Sequence, residues 1–305
     1  MNTELTAHGT GSAYLRRVLA FWGLLIAVLI VVLMTALADP FEPESFGPGH
    51  DARAYWAAPL DDPYQPGSVG HESAYLYSPA FLVALSPLRA LPWPIFVGLW
   101  TAILLGVLYW LARPLLFLPL VVLALPEIWG GNITILLAAA IVIGLSRPMA
   151  WAFPLLTKVT PGLGLLWFGV RREWSSFVLA LAATVAIIAL TAIVTPGLWA
   201  DWFALLTGST GSSTVPGSIP IPLVVRLPLA AAVIVYAARK GQAWLLPAGI
   251  LLAMPVIWWG SLVILAAAVA LRREDIEARF DRLLAAIEVR YHQRLSAQRA
   301  AASSS

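Results

Sequence analysis

The residues most able to do chemistry in this chain are the few charged ones left inside or beside long apolar runs. Lys158 stands in Leu155-Leu156-Thr157-Lys158-Val159-Thr160-Pro161, an apolar stretch interrupted by a proline. A charge is costly in a membrane span, so a retained one asks for a reason. At a helix break an ammonium can bind an anion such as a lipid phosphate; the plainer reading is a lysine snorkelling to an interface. Arg226, inside the run 221–229, has a guanidinium that matches phosphate oxygens with paired hydrogen bonds. Glu127 precedes Gly130-Gly131-Asn132 between two runs and reads equally as a site residue or an exposed loop residue. Asp51 lies two residues before Arg53 and four before Tyr55. Such an aspartate is ordinarily a solvated surface group, and in a cleft it can serve as a base. His50 and His71 have carboxylates nearby, but their spacing matches no compact metal motif, so no metal site and no cofactor are assigned.

Some chemistry is excluded outright. The chain has no cysteine, so disulfides, thiol catalysis and thiolate metal sites are absent. It has no glycine-rich phosphate loop, no Ser-His-Asp spacing and no ATP-binding motif, which argues against ATP-driven transport.

The elements that must hold these residues are membrane helices. Of 305 residues, 60% are hydrophobic and 11% charged. Mean hydropathy is +0.83. Soluble proteins carry about 25% charged residues. The apolar runs are continuous rather than alternating, which favours helices over a barrel, because each segment must satisfy its own backbone. The run 18–38 is uncharged and long enough to cross about 30 Å of hydrocarbon, and is longer than a signal peptide's apolar region. Residues 1–15 read as disordered. Residues 39–78 form an acidic loop, with Asp39, Glu42, Glu44, Asp51, Asp61, Asp62 and Glu72, and fit the non-cytoplasmic side.

Further apolar runs begin at Pro79 and are punctuated by prolines, giving roughly eight to ten transmembrane or re-entrant helices within 16–271. Arg113, Arg147, Arg171-Arg172 and Arg239-Lys240 mark cytoplasmic ends only if some intervening runs are hairpins. Residues 195–217 read as a second outer loop. The tail 272–305 carries Ile276, Phe280, Leu283, Leu284 and Ile287 at helical spacing among charges, as in an amphipathic helix on the cytoplasmic surface. Arg16-Arg17 and Arg272-Arg273 flank the membrane part, which puts both termini in the cytoplasm and gives no reason to expect nucleic-acid binding.

Several islands, taken in order, resemble glycosyltransferase family 87. They are Asp51-Ala52-Arg53-Ala54-Tyr55-Trp56, Pro63-Tyr64, Tyr75-Leu76-Tyr77-Ser78-Pro79, Gly131-Asn132, Lys158 to Pro161 followed by Arg171-Arg172, 212–226, and Pro255-Val256-Ile257-Trp258. The resemblance implies an all-α, GT-C-type membrane helix bundle in a bacterial plasma membrane. It implies transfer of a hexose, mannose first, from a polyprenyl-phosphate sugar to a lipid or glycan acceptor on the outer face. Asp51 is the general base in that reading. Tyr55, Tyr75, Tyr77, Asn132, Lys158 and Arg226 bind substrate, with Lys158 and Arg226 on the departing phosphate. Many members carry a histidine where this chain has Ser261, so an inactive relative stands as the alternative, beside a transporter or lipid-binding scaffold.

Overall fold

The computed structural model describes residues 2–38, 47–64, 74–208 and 217–303; His71, Asp39, Glu42, Glu44, Glu72 and Ser212 lie outside them. Every regular element among the described residues is a helix. The helices are α1 (Asn2–Leu37), α2 (His50–Ala57), α3 (Pro79–Arg89), α4 (Trp93–Gly130), α5 (Thr134–Gly144), α6 (Ala152–Thr157), α7 (Leu166–Arg171), α8 (Trp174–Val194), α9 (Pro196–Gly208), α10 (Leu223–Lys240), α11 (Leu246–Ala253) and α12 (Ala266–Ser303), with short 3-10 turns between several of them. The protein is an all-α membrane helix bundle. Three helical stretches, Ser12–Leu37, Trp93–Gly130 and Trp174–Val194, are long and apolar enough to cross a membrane. The other apolar runs are shorter helices and 3-10 turns, because prolines begin or end them. Pro79, Pro148 and Pro161 stand in first helical turns, where the missing N–H costs nothing.

The longest apolar helix is two arms. Arg113 has φ 53° and ψ 175° before Pro114, and the chain reverses there. Trp100 Nε1 donates to Gly131 O at 2.7 Å, and the Tyr109 and Phe117 rings meet at 5.2 Å, contacts that one straight helix of this length would prevent. α1 packs along the hairpin. A Cβ at Gly23 would come within 2.8 Å of Phe117, and one at Gly98 within 2.3 Å of Thr35 Oγ1.

Such reversals gather basic residues at one end. Arg16 pairs with Glu277 and Asp281, each at 3.1 Å. Arg273 Nη1 donates to Trp110 O beside the Arg113 turn. Arg272 lies over the Trp244 ring, and Arg171 Nη1 donates to Ala238 O next to Arg239 and Lys240.

One expectation needs correction. Within 195–217, Pro196–Gly208 is a helix rather than loop. Its Leu198, Trp199 and Trp202 share a buried face, and Trp202 Nε1 donates to Leu76 O at 3.2 Å. Burial of that face overrides the local Gly and Thr content. The charged tail continues the helix that begins at Ala266 without interruption.

Candidate active site

The site forms where the hairpin's second arm ends. Gly131 takes φ 72° and closes α4, with its N–H on Ile128 O and the Asn132 N–H on Glu127 O at 3.0 Å. This left-handed glycine cap turns the chain at once into α5. The Gly130-Gly131 pair also admits α2. A Cβ at Gly131 would stand 2.6 Å from that of Ala52, and one at Gly130 3.1 Å from Asp51 Oδ2. Gly49, at φ 78°, donates its N–H to Trp129 O at 2.6 Å and starts α2 against the hairpin end. Asp51 follows in the first turn of α2.

Asn132 joins the parts. Its Nδ2 donates to Asp51 Oδ2 at 2.8 Å, and its Oδ1 accepts from Thr134 Oγ1 at 3.0 Å and from Lys158 Nζ at 3.4 Å. Residues 81 positions apart in sequence thus share one polar chain. The Asp51 side chain is 40% exposed and Asn132 is buried at 9%, so the carboxylate faces outward from an enclosed support. His50 Nε2 is 3.9 Å from Asp51 Oδ2, and His50 Nδ1 meets Gly47 O at 3.2 Å.

Lys158 is held at a sharp break. Its N–H and that of Val159 both donate to Pro154 O at 3.0 Å, and Thr160 N–H returns to Lys158 O at 2.7 Å. Val159 between them has φ 54° and ψ −65°, the less common hand of γ-turn. A β-branched residue there carries strain of about 1–3 kcal/mol, a feature concentrated at functional sites. An ammonium has three donors. Its hydrogen bond to Asn132 is long and uses one of them.

The tyrosines do several jobs. Tyr55, one turn after Asp51, shares a 3.1 Å hydroxyl contact with Tyr77, and its ring packs against Phe81 and Trp100. Burial pushes both phenols up, with the Asp51 charge adding to the effect, so they stay neutral. Tyr75 OH donates to Ser78 O at 3.0 Å and Tyr64 OH to Tyr77 O at 2.9 Å, which ties Tyr75 to the start of α3.

Arg226 stands apart from this group. Its Nε donates to Ile221 O, its Nη1 to Leu252 O and Met254 O, and its Nη2 to Pro255 O, at 2.7–2.9 Å. The guanidinium therefore holds together the backbone between α10 and the end of α11, and no hydrogen bond joins it to Asp51, Asn132 or Lys158 among the described residues. Ser261 is buried, and its Oγ accepts from Trp258 N at 3.1 Å. The adjacent Gly260 lies over Glu127, where a Cβ would be 2.7 Å from Oε1.

Of the sequence candidates, the structure brings Asp51, Asn132 and Lys158 together, with Tyr55 and Tyr77 beside Asp51. Glu127, readable from sequence either as loop or as site, is 5% exposed and lies within the electrostatic reach of both Lys158 and Asp51. Thr134 was missed. Its only sequence signal was a hydroxyl two residues after Asn132.

The membrane helix bundle thus gathers a carboxylate, an amide and an ammonium in one place. Residues 75–289 match the model of Glycosyltransferase family 87, well over half of the chain. The chain belongs to that family and is a membrane glycosyltransferase. No curated protein and no solved structure matches it. The family match begins at Tyr75, so the inclusion of Asp51 and Tyr55 rests on the geometry.

Proposed function

We propose that this protein transfers a hexosyl group, with mannose the first candidate, from a polyprenyl-phosphate sugar to a hydroxyl of a lipid or glycan acceptor. The observation that carries the reading is the connected Asp51–Asn132–Lys158 chain. Asp51 takes the proton of the acceptor hydroxyl. The acceptor oxygen then bonds to the anomeric carbon as the bond from that carbon to the phosphate oxygen breaks. The polyprenyl phosphate leaves with the bonding electrons, and Lys158 stabilises its charge in a water-poor site. Asn132 holds base and cation in register. The lipid phosphate is already an activated leaving group, so the step needs no nucleotide.

The basic end set by Arg16, Arg171, Arg239, Lys240 and Arg272 is the cytoplasmic face in this reading. The Asp51 end then faces the outer leaflet of a plasma membrane, where polyprenyl-phosphate sugars meet their acceptors. Arg226 serves as the brace that shapes the 254–260 segment over the site, with one N–H left for a phosphate.

The test is transfer from polyprenyl-phosphate mannose to membrane lipids by the purified protein, compared with Asp51→Asn and Lys158→Met. Loss of general-base catalysis lowers kcat by about 10²–10⁴-fold. Transfer by Asp51→Asn at the wild-type rate overturns the assignment of the base.

A further inference from the structure

Glu127 is a buried carboxylate for which the mechanism above has no use. It sits in the last turn of the hairpin's second arm, just before the glycine cap that carries Asn132. Its neighbours are accounted for on one side only. Gly260 is pressed against Oε1. Oε2 is shielded from solvent and has no hydrogen-bond partner among the described residues. The other carboxylate oxygen in that position is Oε1 of Glu277, far off at the basic end, whose second oxygen meets Arg16 at 3.1 Å.

A buried acceptor left unmade costs about 1–3 kcal/mol and more when charged, so natural proteins keep few of them. Burying a carboxylate here is a choice the fold actively protects. Any side chain at 260 would collide with it, and glycine alone lets the covering segment approach. A carboxylate oxygen without a partner calls for a hydrogen-bond donor, and a hydroxyl is one that carries no charge into the buried site. Sugars supply such donors in quantity. Glu127 O accepts from Asn132 N at 3.0 Å, and Asn132 Oδ1 accepts from Lys158 Nζ at 3.4 Å, so this helix turn is linked to the phosphate-holding cation through one residue.

We infer that Glu127 Oε2 accepts a hydrogen bond from a ring hydroxyl of the glycosyl group on the donor, and so reads the transferred sugar. The inference rests on the donor being a lipid-phosphate sugar. Glu127 acts on binding and orientation of the sugar, Asp51 on the proton of the acceptor; the two carboxylates divide the substrates between them.

The experiment uses the full-length protein in lipid nanodiscs with polyprenyl-phosphate mannose, donors in which single ring hydroxyls are replaced by hydrogen, and polyprenyl phosphate without sugar. Transfer kinetics and donor binding are both measured for wild type, Glu127→Ala and Glu127→Gln, the last keeping side-chain volume should the alanine variant fail to fold. Wild type should lose about 10–100-fold in kcat/KM with one particular deoxy donor. The Glu127 variants should lose a similar factor with the complete donor and nothing further with that deoxy donor. An equal loss on every donor means a merely structural role and overturns the inference, while leaving glycosyl transfer through Asp51 intact. If wild type binds the complete donor more tightly than bare polyprenyl phosphate without transferring, and Glu127→Gln abolishes that preference, the inference stands and the transferase reading falls. If the sugar affects neither binding nor rate, both fall.

Discussion

Replacing Asn132 by alanine isolates the contribution of the link between base and cation. Asn132 Nδ2 donates 2.8 Å to Asp51 Oδ2, and Oδ1 accepts from Lys158 Nζ and Thr134 Oγ1. The substitution deletes one charge-assisted bond to the carboxylate and one long bond from the ammonium. A hydrogen bond to a charged group contributes about 1.5–3 kcal/mol net. If that energy is expressed in the transition state, kcat falls about 10- to 150-fold. The donor's KM should move less, because Asn132 acts on the groups that do the chemistry rather than on the lipid. The helix end should persist, since the backbone bond from Asn132 N to Glu127 O needs no side chain. Initial rates across donor and acceptor concentrations, with thermal unfolding as a fold control, measure this. A folded variant whose kcat stays within about twofold of wild type refutes the proposed coupling of Asp51 and Lys158. Asn132→Asp should do more harm. It sets a second carboxylate against Asp51, so at least one of the pair must hold a proton until higher pH, and the acid limb of the rate profile should move upward.

Arg226→Met should lower the unfolding midpoint in detergent, at a cost of about 3–5 kcal/mol, because four backbone carbonyls lose their donor at once; Arg226→Lys should rescue little, since a point ammonium lacks the guanidinium fork. An unchanged midpoint would remove Arg226 as the brace. Gly131→Ala forces a side chain into φ 72° and to within 2.6 Å of Ala52, costing about 1–2 kcal/mol for the backbone alone, and activity should drop with it as α2 is displaced. Tyr55→Phe leaves the Tyr77 hydroxyl without its 3.1 Å partner and should cost about 1 kcal/mol of stability while sparing most of the rate. The raised phenols give a pH signature. Tyr55 and Tyr77 stay neutral in the folded protein, whereas the same groups ionise when unfolded at pH values above 10.0, so their contribution is complete below that pH and is lost as pH rises beyond it. Alkaline thermal unfolding of wild type against the double phenylalanine variant checks the direction.

How much was legible varies with how local each feature is. Lys158 could be picked out because one charge in an apolar run is an anomaly visible within a few residues. Asp51 could not be told from a surface aspartate by its neighbours and emerged only through resemblance. Arg226 shows the opposite case. Its type and place suggested a phosphate, yet the helix break beside it presents carbonyls that need donors, and these take most of the fork. Glu127 was ambiguous for the same reason: whether residues 127–131 are an exposed loop or a buried cap depends on what packs on them.

The amino-acid sequence by itself determined that this is an all-helical membrane protein with charges confined to a few places, because the bilayer's demand for internally satisfied backbone acts on every segment separately. It also determined where the helices break, through proline and glycine. Tertiary structure alone decided which breaks meet. The reversal at Arg113 brings the Gly130-Gly131 cap back beside the start of the hairpin, α2 docks there, and the Val159 turn delivers Lys158 to the same point. Those meetings arise from packing among segments distant along the chain, where no local pattern of residues records the partner.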